Sequence, residues 1–375
     1  MIHKTPGLYL HIPFCLSKCS YCDFFSVTSL DLVPDFRRYL ATEIALAHSE
    51  FNGFDTLYIG GGTPSVLQSK ILQEILQTIR DHFVLNSDSE ITLEVNPADL
   101  NSSFLQSVHL FGVNRLNLGI QSFNQDTLNF LGRRHSVEQA ISAIRLCREA
   151  GFDNVGIDLI YGIPGQTLNS WLETLVQAIT LAPEHISCYQ LTLEPKTPLG
   201  RRFAKGEFSL LEEDLEFEFF MKTSQTLEDS GYIHYEVSNF CIDWKYASRH
   251  NQKYWDHSPY LGLGPSAHSF FGGQRWWNHR SLTDYIQCLK SGQTPLQGME
   301  TLTVEQLQLE ALYLGLRTQK GICLEDFSKK YLWDLLGEKG EAVNRLQDGG
   351  YLTHQGGFLR PTRKGLAVAD RLALI

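Results

Sequence analysis

The chain reads as an α/β protein built on parallel strands. Three observations predict it. Short apolar runs of strand length recur through the first half, many are followed by a longer segment with the spacing of an amphipathic helix, and glycine or proline follows many of the strand ends. Strands that alternate with helices in this way pair in parallel, each helix serving as a crossover. Periodicity fits an open, incomplete barrel of six such units and a flat doubly wound sheet equally well.

The predicted strands are residues 8–12, 56–59, 91–95, 115–118, 155–160 and 186–191, and the clearest helices are 34–51, 70–82, 137–150 and 168–181. Glu212, Glu213, Asp214, Glu216 and Glu218 open a further helix, where the macrodipole favours acids and a solvated face accounts for them. From about residue 297 the pattern changes. Helices over 304–316, 324–336 and 340–346 precede Gly349-Gly350-Tyr351-Leu352 and Phe358-Leu359, a small glycine-bounded hairpin resembling that of a winged-helix module. The expected organisation is a parallel-strand domain over 1–235, a connecting segment over 236–296 and a small helical, winged-helix-like domain over 297–375. From Arg317 onward ten Lys and Arg face seven Asp and Glu. That balance is too small for nucleic-acid binding, so a lid or docking role suits the last domain better.

With 375 residues, 43% of them hydrophobic and 20% charged, the chain has the make-up of an ordinary globular protein able to bury a large core. Its net charge of −10 argues against a general nucleic-acid binder. There is no apolar run long enough to span a bilayer and no basic-then-apolar leader, so a cytoplasmic location is expected. Cys147, Cys188, Cys241, Cys288 and Cys323 are scattered without paired spacing and read as small apolar residues.

The other three cysteines carry chemistry. Cys15, Cys19 and Cys22 follow the first strand as C-x-x-x-C-x-x-C, with no fourth cysteine at close range. Three thiolates suit a cubane iron–sulfur cluster with one iron left open. A structural zinc site wants four closed ligands, and a secreted disulfide framework wants pairs in a small, loop-rich chain. Spacing favours the cluster over zinc or ordinary thiols. Gly60-Gly61-Gly62-Thr63-Pro64 follows the second strand and offers bare backbone to a polar ligand, though a glycine triplet alone is only a turn. Such motifs begin at or just beyond strand ends, where parallel folds gather their reactive groups.

Taken together, Tyr9-Leu10-His11-Ile12-Pro13-Phe14-Cys15 with Cys19 and Cys22, Tyr58-Ile59-Gly60-Gly61-Gly62-Thr63-Pro64, Glu94-Val95-Asn96-Pro97, Gly119-Ile120-Gln121-Ser122-Phe123 and Asp158-Leu159-Ile160-Tyr161-Gly162-Ile163-Pro164 closely resemble the radical S-adenosylmethionine (SAM) superfamily. Within it they resemble the HemN/HemW group of porphyrin-related proteins. The likeness covers about the first half of the chain and continues more loosely to the end. It implies the incomplete (β/α)6 barrel, a [4Fe-4S] cluster on Cys15, Cys19 and Cys22, and SAM bound to the open iron. It sets Gly61, Gly62 and Thr63 beside the SAM amino group, Glu94, Gln121, Arg133 and Asp158 around SAM, and Tyr9 near the cluster. Tyr21 covers the cluster, meets the adenine edge or simply fills the loop. Arg133 either meets the SAM carboxylate or is an exposed loop arginine beside Arg134.

Two departures separate the branches of the group. The coproporphyrinogen-oxidising branch carries a further cysteine two positions after the third ligand, where this chain has Phe24, and an extension ahead of the first strand. Both point to the HemW-like branch, whose members resemble haem chaperones. His250-Asn251-Gln252-Lys253-Tyr254-Trp255 matches the H-N-x-x-Y-W motif of that branch. By itself His250 reads as a hydrogen-bonded structural histidine; the resemblance makes it a haem site, with His268 a weaker candidate. The implied partners are haem, an acceptor protein (a membrane protein among the candidates) and an electron donor such as a flavodoxin or ferredoxin, with no nucleic acid. The alternative function is oxygen-independent coproporphyrinogen III dehydrogenation. The resemblance does not decide whether SAM is cleaved in the chaperone role.

Overall fold

The computed structural model describes residues 4–47, 51 and 53–374. Six parallel strands stand in sequence order: β1 (Gly7–Ile12), β2 (Phe54–Gly61), β3 (Leu85–Val95), β4 (Arg115–Gln121), β5 (Val155–Tyr161) and β6 (His185–Gln190). Helices Val33–Ala47, Ser69–His82, Ser102–Leu110, Val137–Glu149, Leu168–Thr180 and Glu213–Asp229 follow them one by one. This is the expected incomplete (β/α)6 barrel. The sheet curls far enough for Tyr189 on β6 to feel the carboxylate of Glu94 on β3, and among the described residues β1 and β6 do not pair with each other. A flat sheet would keep those strands apart.

Alternation within each strand sorts the residues by face. Leu8, Leu10, Ile12, Leu57, Ile59, Leu93, Leu116, Leu118, Ile157 and Leu159 are almost fully buried in one apolar core with Leu40, Ile44, Leu76 and Ile79 of the covering helices. Each such Leu or Ile contributes about 1.5–3 kcal/mol relative to exposure. Tyr9, Tyr58, Glu94 and Asp158 occupy the intervening positions and face the barrel interior, where they are only half-buried.

The sheet extends beyond the barrel on both sides. After β6 come β8 (Asn239–Cys241) and β7 (Ile233–Glu236), both antiparallel; beside β1 lie β9 (Tyr260–Leu263), which is parallel to it, then β10 (His268–Phe271), β11 (Gln274–Asn278) and β12 (Leu296–Thr301). Residues 236–296 thus supply β8 to β11 to the same sheet. The helix expected over 34–51 is Val33–Ala47, and residues 48–50 lie outside the described residues.

The last domain has its own core of Leu312, Leu316, Ile322, Phe327, Leu335, Val343, Leu352 and Leu359. Three helices, Val304–Gly315, Leu324–Tyr331 and Leu335–Asp348, pack with a small antiparallel sheet in which β13 (Ile322–Cys323), β15 (Phe358–Pro361) and β14 (Leu352–Gln355) are neighbours. The helix expected over 324–336 stops at Tyr331, because Leu332 adopts a left-handed conformation at φ +53° and Asp334 caps a new helix through the Gly337 amide. The domain docks through Glu310, whose two carboxylate oxygens accept Arg275 Nη2 at 2.9 and 2.7 Å and which bonds to His257 Nε2 at 3.2 Å.

Candidate SAM and cluster pocket

The cysteine loop is tied down at both flanks. Cys15 donates its backbone N–H to Val27 O, while Thr63 N–H donates to Phe14 O and Gly62 N–H to Ile12 O, so the glycine turn after β2 is laced to the end of β1. Glycine is required there for close approach: a Cβ at Gly62 would stand 2.6 Å from Phe14 O, and one at Gly61 (φ +111°) would strike the His11 ring at the same distance. Thr63 Oγ1 then lies 3.4 Å from Cys15 Sγ. Farther along, Ser20 N–H donates to Leu131 O and Leu199 N–H to Ser20 O, which fixes the loop against two later segments.

Burial pushes the Cys22 thiol up, and Cys19 and Cys15 add to the rise, so the three thiols share one neighbourhood. Among the described residues no three His, Cys, Asp or Glu close around a single ion. The ligands of a cubane cluster bind separate irons and not one ion. Arg133 Nη1 donates to Cys19 Sγ at 3.3 Å and Nη2 to Gly119 O at 2.5 Å, while its Nε is buried without a partner. It is not a free loop arginine. Tyr21 stands beside it and packs on Leu131, Ile160, Ile163, Leu191 and Leu199.

Two carboxylates line the interior below. Glu94 accepts the Tyr58 hydroxyl at 2.7 Å and the Gly61 amide at 3.2 Å; burial pushes its pKa up to about 7, and Asp158 adds to the rise. Asp158 accepts Asn117 Nδ2 at 2.7 Å, leaves Oδ1 buried without a partner, and is raised by burial to about 6. Gln121 closes β4 in a left-handed conformation at φ +70°, at a register shift against β5. Such strain in a non-glycine residue clusters at functional sites. Tyr9 donates or accepts at His11 Nδ1 across 3.0 Å, and His11 Nε2 bonds to Phe25 O.

The structure therefore gathers Tyr9, Tyr21, Gly61, Gly62, Thr63, Glu94, Gln121, Arg133 and Asp158 with the three cysteines around the carboxyl ends of the strands. It does not bring His250 to that mouth. His250 lies deeper in the barrel interior, 1% exposed, its ring 6.4 Å from that of Tyr9, with Nδ1 2.9 Å from Thr56 Oγ1 and Nε2 2.9 Å from the Tyr254 hydroxyl. Burial pulls its pKa down to about 3. Iron could take either nitrogen only after a hydroxyl gave up its bond. Phe24, the position that carries cysteine in the oxidase branch, is 72% exposed.

Of the two residues that hold the carboxylates, Tyr58 opens one of the motifs but carries no role in the sequence reading, and Asn117 is absent from it. Strand alternation was a usable signal for Tyr58, two residues before Gly60 on the same face. Glu43 gave no signal: it is a buried acid on an otherwise ordinary amphipathic helix, accepting Tyr285 Oη at 2.6 Å, Gly264 N–H at 2.8 Å and Asn278 Nδ2.

A parallel partial barrel with an open cysteine triad at its mouth is the architecture of a radical SAM protein. A family model described as the radical SAM superfamily matches residues 9–178, and one for the HemN C-terminal domain matches residues 302–368. The heme chaperone HemW of Mycobacterium tuberculosis is 35% identical over 97% of this chain and 93% of its own length. That of Bacillus subtilis is 34% identical over 94% of this chain and 96% of its own length. A mitochondrial radical S-adenosyl methionine domain-containing protein 1 from Danio rerio is 33% identical over 98% of this chain and 85% of its own length. The chain belongs to the HemW family within the radical SAM superfamily. Among solved structures, coproporphyrinogen III oxidase (HemN) from Escherichia coli superposes with a TM-score of 0.85 over 99% of this chain and 90% of that one, at 23% identity, which shows the shared fold.

Proposed function

We propose that the protein is a haem chaperone that carries a [4Fe-4S] cluster and SAM and passes haem to an acceptor protein. The observation that carries the reading is full-length similarity to relatives named heme chaperone, combined with a pocket whose residues suit SAM. Cys15, Cys19 and Cys22 would hold three irons of the cluster. SAM bears an ammonium and a sulfonium, and two mutually repelling, half-desolvated carboxylates, Glu94 and Asp158, welcome such a cation. Arg133, with its unpartnered Nε, suits the SAM carboxylate. A reduced cluster held there would supply the electron for reductive cleavage of a SAM carbon–sulfur bond; the residues named here would bind and orient it. A flavodoxin- or ferredoxin-type donor would reach the cysteine loop beside exposed Leu16 and Phe24.

Haem is assigned to the His250 motif, whose ring nitrogens must exchange a hydroxyl partner for iron. The test is an anaerobic haem titration of reconstituted protein and its His250→Ala variant, followed at the Soret band. Saturable, near-stoichiometric binding weakened by His250→Ala is expected. If neither binds haem specifically, the chaperone reading falls and coproporphyrinogen III becomes the substrate to assay.

A further inference from the structure

The histidine read as a haem ligand and the carboxylate read as a SAM ligand touch the same tyrosine. His250 stacks on the Tyr58 ring at 5.2 Å between centroids with planes 28° apart. The hydroxyl of that ring donates to Glu94 Oε1 at 2.7 Å. Thr56, the partner of His250 Nδ1, sits two residues before Tyr58 on the same face of β2. A single strand face thus carries contacts from His250 to Glu94.

Building on the haem reading above, we propose that haem ligation at His250 and SAM binding at Glu94 oppose each other through Tyr58. Iron needs a nitrogen lone pair that now meets Thr56 or Tyr254, and a buried ring has no room for a macrocycle beside it. Ligation therefore turns the ring or shifts the helix Arg249–Trp255, and either movement removes the support beneath Tyr58. That helix is held by exchangeable polar contacts: Glu90 accepts the Arg249 and His250 amides at 3.2 and 3.1 Å, and Lys253 Nζ reaches Thr5 O at 2.7 Å and Asp55 at 2.6 Å. Its Trp255 Nε1 is buried without a partner, so the closed arrangement leaves one motif donor unsatisfied.

The opposite direction follows from linkage. Bound cationic SAM keeps Glu94 ionised, and a hydroxyl donating to an ionised carboxylate makes a stronger bond than to a neutral acid. Tyr58 is then held in place, and with it the stacked, closed His250. Arrival of SAM loosens haem without any covalent step, which gives a carrier a release signal.

The test measures haem affinity at the Soret band of anaerobic, cluster-reconstituted protein without reductant, with and without saturating SAM, and SAM affinity with and without haem. SAM is expected to weaken haem about tenfold, and haem to weaken SAM by the same factor. Tyr58→Phe keeps the ring and removes the hydroxyl, and should bring both factors close to one. Should Tyr58→Phe not fold, Glu94→Gln serves, because an uncharged acceptor should shrink the factor likewise. Saturable haem binding with an affinity indifferent to SAM overturns the coupling while the chaperone reading stands. A factor left intact by Tyr58→Phe means direct competition for one pocket and overturns the tyrosine route. No saturable haem binding overturns both readings.

Discussion

Arg133 reaches the sulfur of Cys19 across 114 residues of chain, at 3.3 Å. Burial pulls the guanidinium pKa down, and Tyr21 and Cys19 beside it more than restore it. The same guanidinium keeps its buried, unpartnered Nε as a donor for a carboxylate.

Replacing that donor tests its second task. Arg133→Gln is expected to lower SAM affinity about 10- to 100-fold, the worth of a charge-assisted hydrogen bond. The cluster's visible absorbance should persist after reconstitution. Unchanged SAM binding in equilibrium dialysis would remove Arg133 from the pocket.

The ligand triad has a direct check. Cys15→Ala should abolish the cluster absorbance after anaerobic reconstitution while circular dichroism stays that of the parent. Full retention of iron and sulfide by this variant would sink the assignment.

The glycine turn is a matter of space. In Gly62→Ala the new methyl meets the Phe14 carbonyl at 2.6 Å, a backbone atom that cannot move aside alone. A loss of roughly 1–3 kcal/mol in denaturant unfolding is expected, with displacement of the cysteine loop and weaker cluster incorporation. Wild-type stability would show that the turn tolerates a Cβ.

Stability should fall as pH rises from 6.5 to 8 in cluster-free protein. Burial raises Glu43 and Glu94 from 4.5 to about 7 and Glu236 to about 8. Folded protein keeps those protons longer than unfolded chain, so deprotonation through this window favours unfolding. Buried His11 and His250 are lowered to about 4 and 3, so their contribution is lost only as pH falls below 6.5. A melting temperature that declines over this range, less steeply in Glu43→Gln, is the expected outcome; a rise would contradict the burial of these acids.

Docking of the last domain turns on Glu310. Glu310→Ala leaves Arg275 and His257 without their shared acceptor and should cost about 1–2 kcal/mol locally. Faster hydrogen exchange in the helix Val304–Gly315, with the β1–β6 core unchanged, is the readout.

Sequence alone determined what is local. Short apolar runs located all six barrel strands, because a parallel strand buried in a core is read as a continuous apolar stretch. β3 departs most, beginning six residues early at Leu85, where Asn86, Asp88 and Glu90 hide its period; β1, β2 and β6 begin one or two residues early. The cysteine spacing and the glycine turn were equally legible, since a short loop must carry its own ligands. Tertiary structure alone decided the rest. The short outer strands β10 to β12, of which β12 is the edge, show no clean apolar pattern because much of their surface faces solvent. Arg133 on Cys19, Tyr58 between His250 and Glu94, and Glu43 under Gly264 join residues far apart in sequence, and a contact that depends on where separate elements cross leaves no period to read.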